Sequence, residues 1–168
     1  MNLYDATVPI FTKYLTNLEG WLDRAVAHAE AKKVDPEVWV ESRLALDQYP
    51  LRGQIQAACD QAKYTVAKMT GKAPPSHPDT EKTMAELRQR IRTCKAYLAS
   101  FTREDFEGAE ERRCAHEWMG GKGMRGGDYL DHLALPNFHF HLVTAYSILR
   151  HNGVELGKTV FIGHLPLV

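Results

Sequence analysis

The chain has no surplus of either charge: 21 Lys and Arg residues face 21 Asp and Glu residues in a sequence of 168. Balanced and scattered charge gives no long-range attraction for nucleic acid or for an anionic membrane, so neither is expected as a partner. Cysteine is scarce. Cys59, Cys94 and Cys114 are odd in number, far apart and without a Cys-x-x-Cys pair, which argues against a disulfide framework and against a zinc knuckle. No apolar run approaches the ~20 residues of a membrane span, and no basic segment leads into an apolar one at the N-terminus. A cytoplasmic protein is therefore expected. Strand-like alternation of comparable strength, internal repeats and low-complexity tracts are also missing, which points to one domain over residues 1–168.

What the sequence does contain is four amphipathic stripes. Phe11, Tyr14, Leu15, Leu18, Leu22 and Ala25 hold one helical phase and predict a long helix from about Leu3 to Ala31. Leu51, Ile55, Cys59, Ala62, Val66 and Met69 predict a second helix, closed by Gly71 and Pro74-Pro75. Met84, Leu87, Ile91, Cys94, Leu98 and Phe101 predict a third, with Asp79-Thr80 as its cap. Such a pattern specifies an all-α bundle. Between the helices, Val38, Trp39 and Val40 read as one or two helical turns laid over the bundle. The stretch Thr102 to Asp131 is long and rich in glycine around Gly120–Gly127, the mark of a functional or mobile loop, with a possible short hairpin in Glu110–Trp118.

The fourth stripe is the most informative. Pro136 suits a first helical turn and Gly153 the left-handed residue past the end, so the helix is expected from about Pro136 to Asn152. Phe138, His141, Leu142, Ala145, Ile148 and Leu149 form its apolar face, which turns His141 inward. At about 100° per residue, His139 points about 160° away from His141, so the two do not share one pocket. His139, Phe140, Val143 and Tyr146 make the other flank apolar as well, as expected of a helix buried by more than its own bundle, such as a dimer interface. Val160, Phe161 and Ile162 make the chain end too apolar for a free tail, so it is expected to pack on the bundle or on a second subunit.

The run Leu135-Pro136-Asn137-Phe138-x-Phe140-His141, followed by Ala145-Tyr146-x-Ile148-Leu149-Arg150-x-x-Gly153-Val154-x-x-Gly157-Lys158, resembles the DinB/YfiT-like superfamily, in a branch with a domain of unknown function. Leu51-Arg52-x-Gln54-Ile55 and Asp60-x-Ala62-Lys63 extend the likeness over essentially the whole chain. The resemblance implies a DinB-like, up-down-down-up four-helix bundle, commonly dimeric, with relatives that include metal-dependent thiol transferases and isomerases acting on small molecules. It also implies a metal site of three histidines, one on the second helix and a His-x-x-x-His pair on the fourth. His141 matches the second member of that pair. Asn137 stands at the first, and the second helix offers Ala58 and Cys59 with no histidine from Leu51 to Met69. Two of the three ligands are thus replaced, and no metal is expected.

The pocket candidates are therefore Asn137, His141, Cys59 and His132. His141 can be a ligand in an altered metal site, an acid–base or hydrogen-bonding group, or a buried histidine satisfied by a neighbour. Asn137 lies one turn away and both donates and accepts. Cys59 is a packing residue or, as a thiolate, a ligand or nucleophile. His132 and Asp131 precede the fourth helix, where they either cap it or join an anion site at its N-terminus, and the glycine-rich loop is expected to move over that end. Asp60 and Lys63 read as surface or interface groups, as do His28, His77, His151 and His164. Three functions are carried forward. The first is a small-molecule binder with a vestigial or altered metal site. The second is a metal-dependent thiol transferase or isomerase using zinc or nickel, and the third a noncatalytic interaction protein forming a homodimer.

Overall fold

The computed structural model describes residues 2–168. In chain order the elements are α1 (Leu3–Lys32), α2 (Leu51–Thr70), α3 (Met84–Leu98), β1 (Arg113–Cys114), β2 (Met124–Arg125), α4 (Gly126–Tyr129), α5 (Leu135–His151) and α6 (Lys158–Ile162), with a 3-10 turn at Pro36–Trp39. The chain is an all-α bundle of α1, α2, α3 and α5, and the one sheet among the described residues is the two-residue pair of β1 and β2.

Side-chain pairs along the helices set their directions. Glu19 and Asp23 of α1 meet Arg92 and Arg88 of α3 in reverse order, so these helices are antiparallel. Phe11 meets Phe138 and Trp21 meets Tyr146, so α1 and α5 run in parallel. Gln61 contacts Asn137 while Gln54 contacts His141, which makes α2 antiparallel to α5. The order is up-down-down-up. The stripes named above converge in the middle: Phe11, Leu18, Ile55, Val66, Ile91 and Phe138 are all inaccessible to solvent.

Several local expectations are corrected by the fold. The third helix is capped by Thr83, not by Asp79-Thr80. Thr83 Oγ1 accepts from the Glu86 N–H at 3.2 Å and the Glu86 carboxylate accepts from the Thr83 N–H at 3.1 Å, a reciprocal capping box. Asp79 is instead drawn to Arg90. The short hairpin closes further on than Trp118: Arg113 and Cys114 pair with Arg125 and Met124 across the glycine-rich turn. Gly126 is required there, because a Cβ would lie 1.9 Å from the Ala109 carbonyl oxygen.

The fourth helix, α5, spans Leu135–His151, close to the expected range, but it does not start from a free end. Helical backbone runs from Gly126 through a π turn, Leu130–Ala134, straight into α5. Pro136 has no N–H to give to the carbonyl four residues back, and a widened turn in which the Leu135 N–H reaches Leu130 O absorbs that mismatch. Consequently α5 has no free N-terminal amides, and of the alternatives at Asp131 and His132 neither the side-chain cap nor the anion site forms. Both residues are exposed.

The chain end folds back. Phe161 stacks on Trp21 at 5.3 Å and meets Tyr146 at 5.5 Å, while Asn17 and Trp21 donate to the carbonyls of Phe161 and Val160. Tyr146 donates to Leu156 O at 2.9 Å. Part of the second apolar flank of α5 is thereby covered from within, whereas Phe140 and Val143 stay 53% and 47% exposed.

Lys63 is not a surface group, and Asp60 is half-buried beside it. Lys63 is 1% exposed, and its Nζ sits 2.7 Å from Asp60 Oδ1, which also accepts from Arg90 Nη2 at 2.8 Å. Arg90 further reaches Glu81 at 3.1 Å and Asp79 at 3.2 Å, tying the 71–83 connection across α2 and α3. His77, also expected at the surface, is half-buried 3.5 Å from Lys63 Nζ. Asp60 is the carboxylate that both cations share, so Asp60→Ala is expected to cost about 3–5 kcal/mol by stranding Lys63. Lys63→Met leaves Asp60 paired with Arg90 and is expected to cost clearly less. Urea unfolding of the two variants checks the order.

Candidate functional site

A cleft of about 580 Å³ opens between α2 and α5. Seven-residue spacing on α2 puts Gly53 and Asp60 on one face, with Gln56, Ala57, Gln61 and Tyr64 beside them, while Asn137 and His141 look across from α5. Tyr49 and Pro50, from the connection ahead of α2, form one rim and Asp79 another. This size lies within the usual range for small-molecule sites.

His141 is 9% exposed and lies against α2. Its environment sets its tautomer. The Tyr49 carbonyl can only accept, and Gln54 Nε2 donates to it at 3.1 Å, so Gln54 Oε1 is the atom that faces His141 Nδ1 at 2.8 Å. Nδ1 therefore carries the proton and Nε2 presents its lone pair. Burial pushes the His141 imidazole below its usual pKa, keeping the ring neutral at pH 7. The ring also lies parallel to Tyr49, with centroids 6.5 Å apart.

Asn137 is oriented by a second chain. Thr65 Oγ1 donates to Gln61 O at 2.6 Å and so accepts from Gln61 Nε2 at 3.0 Å. Gln61 Oε1 is then left to accept from Asn137 Nδ2 at 2.7 Å, which turns Asn137 Oδ1 outward. Gln61 Nε2 also approaches Tyr129 OH at 3.4 Å, and Tyr129 OH in turn lies 3.0 Å from His116 Nε2. His116, beneath the exposed Trp118 ring, belongs to a separate hollow with Lys68.

The other candidates lie elsewhere. Cys59 faces the core, where the neighbouring Cys94 thiol and complete burial push its pKa well above the ordinary thiol range; it supplies no thiolate to the cleft. His132 is exposed on the π turn and does not line the cleft, nor does the glycine-rich loop. His139 points the other way, as its position on the helix predicts, with Nδ1 2.8 Å from Leu135 O and its ring against Tyr14. Sequence reasoning missed Tyr49, Gln54, Gln56, Asp60 and Gln61. Gln54 and Gln61, seven residues apart and beside the apolar stripe of α2, were the available signal.

A three-histidine metal centre does not fit this arrangement. Among the described residues, no three His, Cys, Asp or Glu side chains are grouped to hold an ion. Besides His141, the one carboxylate of α2 in the cleft is Asp60, and its Oδ1 is already shared by Lys63 and Arg90. Asn137 commits its amide N–H to Gln61.

Burial lowers the pKa of His77, His116 and His141 alike. Each is then less protonated in the folded than in the unfolded chain below the ordinary histidine pKa of about 6.5. Their contribution to stability is complete above that pH and is lost as pH falls through the depressed values. The urea midpoint should therefore fall between pH 7.5 and 5.5, and less so in His141→Phe. Imidazole ¹⁵N spectra should show His141 as the Nδ1–H form at pH 7.

Comparison with known proteins agrees with the geometry of the fold. A family model described as "Domain of unknown function (DUF1993)" matches residues 3–162. The crystal structure of a DinB family member protein from Shewanella denitrificans is 47% identical, covers 99% of this chain and 94% of that one, and superposes with a TM-score of 0.96. A search of curated proteins finds no match. No helix among the described residues is long and apolar enough to cross a membrane. With nearly its whole length matched, the chain belongs to the DUF1993 family and has the DinB-like helical bundle.

Proposed function

We propose that this protein binds a small molecule in the cleft between α2 and α5, at Asn137 and His141, in place of the superfamily's metal centre. The observation that carries the reading is the neutral, nine-tenths buried His141, held through Nδ1 by Gln54 and left with Nε2 unpartnered among the described residues at a concave surface. Metal-ligating histidines show a similar second contact. Here, however, the groups beside His141 in the cleft are an amide, Asn137, and a carboxylate, Asp60, already shared between two cations. The reduced cysteines Cys59, Cys94 and Cys114 suit a cytoplasmic location.

In a fragment screen read by amide chemical shifts, bound compounds should perturb residues 53–61 and 137–141. His141→Ala should abolish that binding and His139→Ala should spare it. Equal binding by both variants overturns the assignment and favours a noncatalytic interaction protein. Stoichiometric zinc or nickel in chelator-free protein, lost in His141→Ala, overturns it in favour of a metal-dependent thiol transferase or isomerase.

We propose in addition that the protein is a homodimer through the flank of α5 that α6 leaves open. Phe140 and Val143 are neighbours there, one turn apart and half exposed. A stable interface should bury about 1,200 Å² or more in total. Light scattering should report a dimer at micromolar concentration, and Phe140→Glu should shift it towards monomer. A monomeric wild-type chain overturns the proposal.

A further inference from the structure

The two hydrogen-bond chains that orient His141 and Asn137 have a common polarity. Each starts at a backbone carbonyl, which can only accept: Tyr49 O fixes Gln54, and Gln61 O fixes Thr65. Each then passes its donors inward through an amide, from Gln54 to Tyr49 O and from Gln61 to Thr65. Each ends at the cleft with an acceptor, Nε2 of His141 and Oδ1 of Asn137. A flip of either glutamine would set acceptor against acceptor, Gln54 Oε1 against Tyr49 O and Gln61 Oε1 against Thr65 Oγ1, so the polarity is built in.

The rest of the polar wall repeats it. Gln56 gives its Nε2 to Glu81 Oε2 at 2.8 Å and keeps Oε1 free. Asp60 uses Oδ1 for both Lys63 and Arg90, leaving Oδ2, and Asp79 uses Oδ1 for Arg90. Three carboxylates, Asp60, Asp79 and Glu81, meet only the two cations Lys63 and Arg90 here. Arg52, at the rim, is paired with Glu41 at 2.5 Å. The apolar lining comes from Pro50, Ala57 and the rings of Tyr49 and Tyr64.

We infer that the ligand of this cleft is an organic cation of the protonated-amine class, whose N–H groups donate to His141 Nε2, Asn137 Oδ1 and the Asp60 carboxylate while its hydrocarbon part lies against Tyr49 and Tyr64. An ammonium matches the acceptors gathered on the wall of His141, Asn137 and Asp60, with Arg52 away at the rim beside Glu41, and bonds from a charged donor are the stronger kind. A carboxylate or phosphate would place its acceptors against acceptors. This rests on the binding reading above, since it names the ligand class of the same cleft.

The test is a titration of the full-length protein at pH 7 with 2-phenylethylamine and, in parallel, 3-phenylpropionate, followed by the His141 ring signals and the side-chain amides of Asn137 and Gln61. The amine should move these signals and bind about tenfold or more tighter than the acid, and raising the salt concentration should weaken it. In His141→Phe and, separately, Asn137→Leu, the preference for the amine should shrink; two variants guard against one failing to fold. If the acid binds these residues as well as the amine, or a neutral fragment does and the amine does not, the cleft reading survives and the amine inference falls. If no compound of either charge or of neutral character moves the cleft signals, both fall together.

Discussion

The Asp60 carboxylate is the interaction on which the rest of the structure depends. Two side chains that are almost never buried alone, Lys63 and Arg90, are both drawn out of water by one of its oxygens. Coulombic attraction in a partly desolvated setting repays that burial only when every charge has a partner, which Glu81 and Asp79 help to supply. Arg90 also donates to the carbonyls of His77 and Pro78, so the extended 71–83 connection is held by charge where it has few apolar groups to bury. That connection forms a wall of the cleft. Fold and candidate site therefore share one electrostatic anchor.

The same helix does three tasks with one periodicity. Leu51, Ile55, Ala58, Ala62 and Val66 of α2 fill the core. Gln54 and Gln61, seven residues apart, face α5 and fix the rotamer and protonation of the two cleft residues. Asp60 and Lys63 face α3. Because the glutamines are themselves locked by backbone carbonyls and by Thr65, the surface they present is preorganised rather than adaptable. Preorganised acceptors lose little conformational entropy when a donor arrives, which favours a ligand of matching polarity.

The flanks of α5 divide along the same lines. One side of the helix carries His141 to α2, and the other carries His139 and Tyr146 to α1 and the returning chain end, where Trp21, Tyr146 and Phe161 form one aromatic cluster. Phe140 and Val143 fall between these two surfaces and touch neither fully. Their exposure follows from helix geometry: four helices and a short tail cover only part of the circumference of α5.

By itself the sequence determined the helices, because a stripe of apolar residues at three- and four-residue spacing has one way to be buried. It also determined that His139 and His141 diverge, since residues two apart on a helix cannot face alike. The tertiary structure decided everything that depends on a partner distant in the chain. Lys63 looks like a solvated lysine until Asp60 and the His77 segment close over it. Gln54 and Gln61 have no assigned role until Tyr49 and Thr65 dictate which amide atom points where. Thr83 displaces Asp79-Thr80 as the cap, and Asp79 turns instead to Arg90 within that same helix. Periodicity is a local property and is written in the residues, whereas the direction of a hydrogen bond and the burial of a charge depend on groups far away in sequence, 87 positions for Gln54 and His141.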